Sequence, residues 1–322
     1  MPRTVVAETA LSDGRAVLLV DAADVEACVI RDIVVDAFSH RPPVDPPPAA
    51  LAETPGRIAE AVRAGFGVVA FVEDEPAGVV LVSLEGDVAG IHRVSVRPRF
   101  QRAGVAAAMM AVVGDLLAVH GVAEARLVAR AELPDTVAWW QRHGFTAYAR
   151  NGVEIHLRHP IAVRVQAKTA DATRDLGVRL AALLRRGDLL IASGELGAGK
   201  TTLAQGIGAG LGVAGAVLSP TFVLSRVHPS PTGGPTFVHV DAYRLGGFAE
   251  LEDLDLEASL DDSVTYVEWG EGMAEALASD RLEIDIRRGL DPADETRWVF
   301  LMPVGERWLA ARGELEALRG QR

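Results

Sequence analysis

One run of residues narrows the folds open to this chain more than any other: Gly194-Glu195-Leu196-Gly197-Ala198-Gly199-Lys200-Thr201, followed by Thr202. It fits the pattern G-x-x-x-x-G-K-[ST] in full. The apolar stretch 188–193 before it reads as a buried strand, and 201–211 after it reads as a helix. Glycines allow successive backbone N–H groups to turn toward one anion, and a helix N-terminus adds positive partial charge. In that setting Lys200 reaches the β and γ phosphates of a nucleotide, and the Thr201 hydroxyl is placed to ligate Mg²⁺. A second glycine pattern, Gly210-Leu211-Gly212-Val213-Ala214-Gly215, matches G-x-G-x-x-G. It follows a helix and precedes a strand, the wrong order for a dinucleotide site, and reads as a helix-terminating loop.

A phosphate-binding loop of this kind needs acids on its metal side. Two apolar strands end in one: 237–240 runs into Asp241, and 264–267 runs into Glu268. In an open α/β sheet, ligands gather at the carboxyl ends of the strands. One acid is suited to hold Mg²⁺ and the other to orient an attacking water.

The rest of the chain divides around these residues. With 322 residues, two domains are expected. The boundary falls at Pro160, giving 1–160 and 161–322. The first half reads as α+β, with a largely antiparallel sheet: strands at 17–20, 67–73, 78–84, 88–96, 126–129, 146–149 and 153–157, helices at 25–38, 54–64, 102–120 and 135–143. The proline-rich 42–48 is a surface loop within it. The second half reads as an α/β layer, with strands at 161–166, 188–193, 217–227, 236–240, 264–268, 281–286 and 298–302. Its helices are 173–184, 201–211, an acidic 248–259 and a terminal 306–318.

Charge and cysteine content exclude some functions. Net charge is −12, with 15 basic against 20 acidic residues over 1–160 and 17 against 24 over 161–322. Neither half offers the positive face that phosphate-backbone binding needs, so any role on RNA runs through a protein partner. The single Cys28 leaves no internal disulfide or cysteine zinc site and favours a reducing cytoplasm. The first twenty residues lack an apolar core, so no secretory leader is expected. The longest uncharged run, 201–225, contains five glycines and reads as helix, loop and strand, not as a membrane span.

The blocks 194–202, Leu218-Ser219-Pro220-Thr221-Phe222, His239-Val240-Asp241-Ala242-Tyr243-Arg244-Leu245 and Val267-Glu268-Trp269 occur in this order. Over about 163–305 the chain resembles the TsaE family, the small P-loop ATPase of the bacterial system that makes N6-threonylcarbamoyladenosine in tRNA. The resemblance implies that ATP and Mg²⁺ are bound by Lys200, Thr201 and Thr202, with Glu268 as the second metal ligand. It makes Asp241 the essential strand-end acid and 219–221 a switch-like loop beside the γ-phosphate. It places Thr173 near the base. The implied partner is a TsaB–TsaD-type threonylcarbamoyl-transfer complex, with tRNA reached only indirectly. The acidic 248–259 is a candidate docking surface. A nucleotide-dependent switch with negligible turnover and a small-molecule kinase are the competing readings.

In the first half, the V-x-V-x-P strand end at Val94 and Val96 leads into Gln101-Arg102-Ala103-Gly104-Val105-Ala106. Q-x-x-G-x-A lets backbone N–H groups face a pyrophosphate at a helix start. With Trp140-Gln141-Arg142-His143-Gly144-Phe145 further on, 15–159 resembles the GNAT acetyltransferase superfamily. That implies acetyl-CoA laid across Val94, Val96 and the loop from Gln101 to Ala106, and direct transfer to an amine. His92 is the candidate general base, expected on the same strand face as Val94 and Val96. Trp140 stands where the superfamily often has the tyrosine that meets the leaving thiolate. A degenerate, scaffold-like domain is the alternative.

Overall fold

The computed structural model describes residues 3–320 except 253, 255, 257–259, 290, 292 and 293. Two compact units are present, Met1–Ile161 and Ala162–Arg322. Each builds a mixed sheet with its own core.

In the first unit the strands are β1 (Val5–Ala10), β2 (Ala16–Asp21), β3 (Phe66–Val72), β4 (Glu75–Glu85), β5 (Val88–Val96), β6 (Glu124–Arg130), β7 (Thr146–Asn151) and β8 (Glu154–Pro160). They lie in the order β1-β2-β3-β4-β5-β6-β8-β7. Every neighbouring pair is antiparallel except β5–β6. Four α-helices cover the sheet: α1 (Ala27–Ser39), α2 (Pro55–Ala64), α3 (Val105–His120) and α4 (Pro134–Arg142). Thr54 starts α2 by accepting the Arg57 N–H at 3.3 Å, with Pro55 in the first turn. Ile30, Ile33 and Val34 of α1 and Ile58 of α2 bury against Val69, Phe71, Val79 and Leu81 on one face. On the other face α3 comes so close that a Cβ on Gly78 would lie 3.0 Å from Met109 Cε.

The sequence reading misses β1. Its residues are mostly exposed on a sheet edge, so no apolar alternation marks it. The helix expected from 102 begins only at Val105, because Arg102 (φ 63°) and Gly104 (φ 97°) hold left-handed backbone.

In the second unit the strands are β9 (Val163–Ala167), β10 (Leu189–Ser193), β11 (Ser225–His228), β12 (Thr236–Asp241), β13 (Ser263–Glu268), β14 (Arg281–Arg288) and β15 (Arg297–Val304). Their order is β11-β12-β13-β10-β14-β15-β9. The central four, β12, β13, β10 and β14, run parallel. Strands flanked on both sides read as continuous apolar runs, which is why Leu189–Ala192 carries no alternation.

The helices are α5 (Ala170–Ala181), α6 (Lys200–Leu211), α7 (Phe248–Glu252) and two short terminal ones, Glu306–Ala310 and Arg312–Ala317. Thr169 caps α5 by accepting the Ala172 N–H at 3.1 Å, which starts the helix three residues before the expected Thr173. Gly212 closes α6 with φ 65°, so the G-x-G-x-x-G run is indeed a helix terminus. The strand expected over 217–227 is corrected: only 225–228 pairs, while 217–224 forms a loop ending at Leu224 with φ 62°. Part of the acidic helix expected over 248–259 lies outside the described residues.

Candidate functional site

Parallel pairing brings the chemistry of the second unit to one sheet edge. Ala192, Glu268 and Asp241 stand side by side in register at the carboxyl ends of β10, β13 and β12. The loop 194–199 leaves β10 at that edge and returns as α6. Gly199, with φ 113°, is the N-cap, a conformation that an L side chain resists. Lys200 is buried, and its Nζ donates to the carbonyls of Gly194 at 2.6 Å and Glu195 at 3.0 Å. The ammonium also sits 3.6 Å from the ring centre of Trp269. Burial lowers the Lys200 pKa, opposed by the charges of Glu268, Asp241 and Asp285. The cation is thus held on its own loop, beside carboxylates.

Thr201 Oγ1 donates to Glu268 Oε1 at 2.8 Å. The two sequence-predicted metal ligands, 67 residues apart, are therefore in direct contact. Both are hard oxygen donors, the kind Mg²⁺ takes alongside nucleotide phosphates, so this pair fits that ion. His239 is a neighbour that sequence reasoning overlooked. It is fully buried, and its Nε2 lies 2.8 Å from the same Glu268 oxygen. The signal was available: His239 and Asp241 are two apart on β12 and so share a face. Tyr266, also buried, donates its hydroxyl to the Lys200 carbonyl at 2.9 Å and pins the start of α6.

Asp241 serves the 219–221 loop. Its Oδ2 accepts the Thr221 hydroxyl at 2.6 Å and the Ser219 hydroxyl at 3.4 Å, and Oδ1 accepts the Tyr243 N–H at 3.1 Å. Thr173 is placed beside the phosphate loop, not in the open. Its methyl lies 3.8 Å from where a Gly199 Cβ would stand, and its hydroxyl donates to the Thr169 carbonyl at 3.1 Å. It backs the loop by packing. Around the loop, Leu196, Phe222 and Tyr243 are exposed.

In the first unit, β5 and β6 pair only through Val88–Gly90 and Glu124–Arg126. Beyond that the strands part, leaving the inner edge of 91–96 without a strand partner. There the Val94 carbonyl accepts Arg41 Nη2 at 3.0 Å, and the Val96 carbonyl accepts Gln101 Nε2 at 3.0 Å. Arg102, Gly104 and Ala106 follow at the start of α3, with the turn tied to Ser12 through the Ala103 carbonyl.

The expected shared face of His92, Val94 and Val96 is corrected. The β4–β5 register slips between Leu81↔His92 and Val79↔Ser95, around Arg93 at φ 52°. Leu81 and Val79 share a face, so His92 lies with Ser95, and Val96, opposite Gly78, takes the α3 side. A bulge inserts one residue and inverts the alternation that sequence spacing assumes. His92 Nε2 lies 2.8 Å from Ser83 Oγ. Desolvation and the adjacent Arg93 charge lower its pKa from the ordinary 6.5. Trp140 is buried against Phe145 at 4.9 Å between ring centres, so it belongs to the core.

A family model described as Threonylcarbamoyl adenosine biosynthesis protein TsaE matches residues 167–296, and one described as Acetyltransferase (GNAT) family matches 30–145. The tRNA threonylcarbamoyladenosine biosynthesis protein TsaE of Streptomyces coelicolor is 64% identical over 140 residues, covering 43% of this chain and 95% of that protein. Its namesake in Mycobacterium bovis is 48% identical over 123 residues, covering 36% and 73%. Among solved structures, the ribosomal-protein-S18-alanine N-acetyltransferase from Escherichia coli is 18% identical, covers 45% of this chain and 94% of its own, and has a TM-score of 0.39. With 95% of a TsaE protein spanned at 64% identity, the chain belongs to the TsaE family through its second unit and joins to it, in its first, a GNAT acetyltransferase-family domain.

Proposed function

We propose that the second unit is a Mg²⁺-dependent ATPase acting in tRNA threonylcarbamoyladenosine biosynthesis. The observation that carries this reading is the Thr201–Glu268 contact at 2.8 Å, set beside Lys200 at the carboxyl ends of parallel strands. Backbone N–H groups of 195–202 cradle the phosphates, and Lys200 exchanges its loop carbonyls for phosphate oxygens. Thr201 and Glu268 would hold Mg²⁺ through their oxygens, and the ion would supply positive charge to offset that of the phosphate oxygens. His239 fixes the Glu268 carboxylate through one hydrogen bond. Asp241 keeps Ser219 and Thr221 in place beside the terminal phosphate, so loss of that phosphate is transmitted to the 218–224 loop. Turnover in this reading resets a TsaB–TsaD-type complex in the cytoplasm, and tRNA is met only through that complex.

For the first unit we infer acetyl-CoA binding along the free edge of β5, from Val94 and Val96 to the loop 101–106. An extended pantetheine arm lies along this edge, which has no strand partner, taking the places of the Arg41 and Gln101 side chains on the Val94 and Val96 carbonyls, and the pyrophosphate meets the start of α3. His92, neutral near pH 7, accepts the amine proton as the amine nitrogen bonds to the thioester carbon and the C–S bond breaks. With Trp140 in the core, the departing thiolate takes its proton from elsewhere.

The test is Mg²⁺-dependent ATP hydrolysis by the full chain, with and without the TsaB–TsaD pair from the same source. Turnover that rises with the pair and vanishes in Lys200→Ala supports the ATPase. ATP binding without turnover in either condition refutes hydrolysis and leaves a nucleotide switch. Calorimetric titration with acetyl-CoA tests the first unit, and absence of binding there ends the transferase reading.

A further inference from the structure

The phosphate loop is flanked by two arginines that face each other across β14 and β15, Arg288 and Arg297. Like charges directly opposite on adjacent strands are destabilising. One of the two is fully engaged. Arg297 donates from Nε to the Ala198 carbonyl at 3.0 Å, and from Nη1 to the carbonyls of Glu295 at 2.9 Å and Thr296 at 3.1 Å. It therefore buttresses the loop from its own backbone side. Arg288 differs. It is exposed, and among the described residues no acid pairs with it; the strand acid Asp285 is taken by Arg287 at 2.6 Å. Its Nη2 lies 4.0 Å from where a Cβ on Gly197 would stand, directly over the loop. Gly197 has φ 74° and carries no side chain to fill the space between its backbone and that guanidinium.

We propose that Arg288 is a second phosphate-binding cation of this site, donating to the polyphosphate of the nucleotide from the β14 side while Lys200 donates from α6. This rests on the nucleotide-binding reading above. The bound polyphosphate supplies the counter-charge that no described acid gives Arg288, whereas Arg297 has Asp294 close by.

The experiment titrates the full chain with N-methylanthraniloyl-ATP in Mg²⁺, and competes it with inorganic tripolyphosphate. A lost charge-assisted contact corresponds to a tenfold to hundredfold weaker Kd, to within about a factor of three. Arg288→Ala is therefore expected to weaken both ligands by about tenfold or more, and Arg288→Lys to recover part of it. Arg287→Ala, the same charge change on the opposite face, is expected to stay within about twofold. Thermal melting without nucleotide separates this from a structural role: Arg288→Ala should melt at the wild-type temperature or above it, because repulsion is removed. Wild-type binding with Arg288→Ala unchanged overturns this inference alone. A wild-type chain that binds neither ligand overturns it together with the nucleotide reading.

Discussion

At the scale of single residues, the site is a set of buried charges, each held by partners of its own. Lys200, Asp241 and Glu268 are each 4% exposed or less. Buried ions persist only when paired or hydrogen-bonded, and each of these is. Glu268 accepts from Thr201 and lies against His239, so its removal leaves the Thr201 hydroxyl without its acceptor and His239 without its carboxylate. Glu268→Ala is expected to raise the Mg²⁺ concentration for half-maximal ATP turnover by about tenfold or more, since a hydrogen bond or ligand involving a charged group is worth about 1.5–3 kcal/mol. An Mg²⁺ titration of turnover reads it, and unchanged Mg²⁺ dependence would remove Glu268 from the metal. His92 gives a pH prediction in the first unit. Its pKa is depressed, so the neutral, proton-accepting form persists below the ordinary 6.5. Acetyl transfer should then be flat around pH 7 and fall only as pH drops through that lowered value. His92→Gln should cut the rate by about a hundredfold and abolish the acid limb. A wild-type limb centred above 6.5 would assign the proton to another group.

At the scale of elements, the phosphate loop depends on how closely α5 and α6 approach. A Cβ on Gly206 would lie 2.1 Å from the Arg174 carbonyl oxygen, and one on Gly177 would lie 2.5 Å from that of Leu203. These are backbone atoms, which cannot swing aside as a side chain can. Gly206→Ala gains about 1 kcal/mol in helix propensity. Against that, overpacking costs about 1–3 kcal/mol in an ordinary core and more where backbone must move. The clash wins, and Gly206→Ala is expected to lower unfolding free energy by about 2 kcal/mol, measured by denaturant titration. The motif 194–201 and the strand and helix around it are legible in sequence because local spacing fixes them. The 217–224 loop is not, because Val217, Leu218, Phe222, Val223 and Leu224 mimic a strand while Asp241, far along the chain, holds Ser219 and Thr221 out of the sheet.

At the scale of the whole molecule, three core clusters each draw their residues from one unit. Val20 to Leu81 form one, and the clusters containing Leu176, Tyr266 and Trp308 or Val238, Leu251 and Ala274 use only residues after 162. Residues 162–322 expressed alone should fold and bind ATP within about twofold of the full chain, checked by circular dichroism and nucleotide titration. A tenfold loss would mean that the first unit contributes to the site. The sequence by itself determined the phosphate loop, the two strand-end acids and the two families, because each depends on residue types at short fixed spacings. Only the tertiary structure decided that Thr201 meets Glu268, that Asp241 holds Ser219 and Thr221, that His92 parts from Val96, and that Arg288 overhangs Gly197. Strand order and register, which pair segments the chain keeps far apart, set the neighbours of the second unit, and a one-residue bulge inside the β4–β5 hairpin, invisible to residue spacing, sets those of His92.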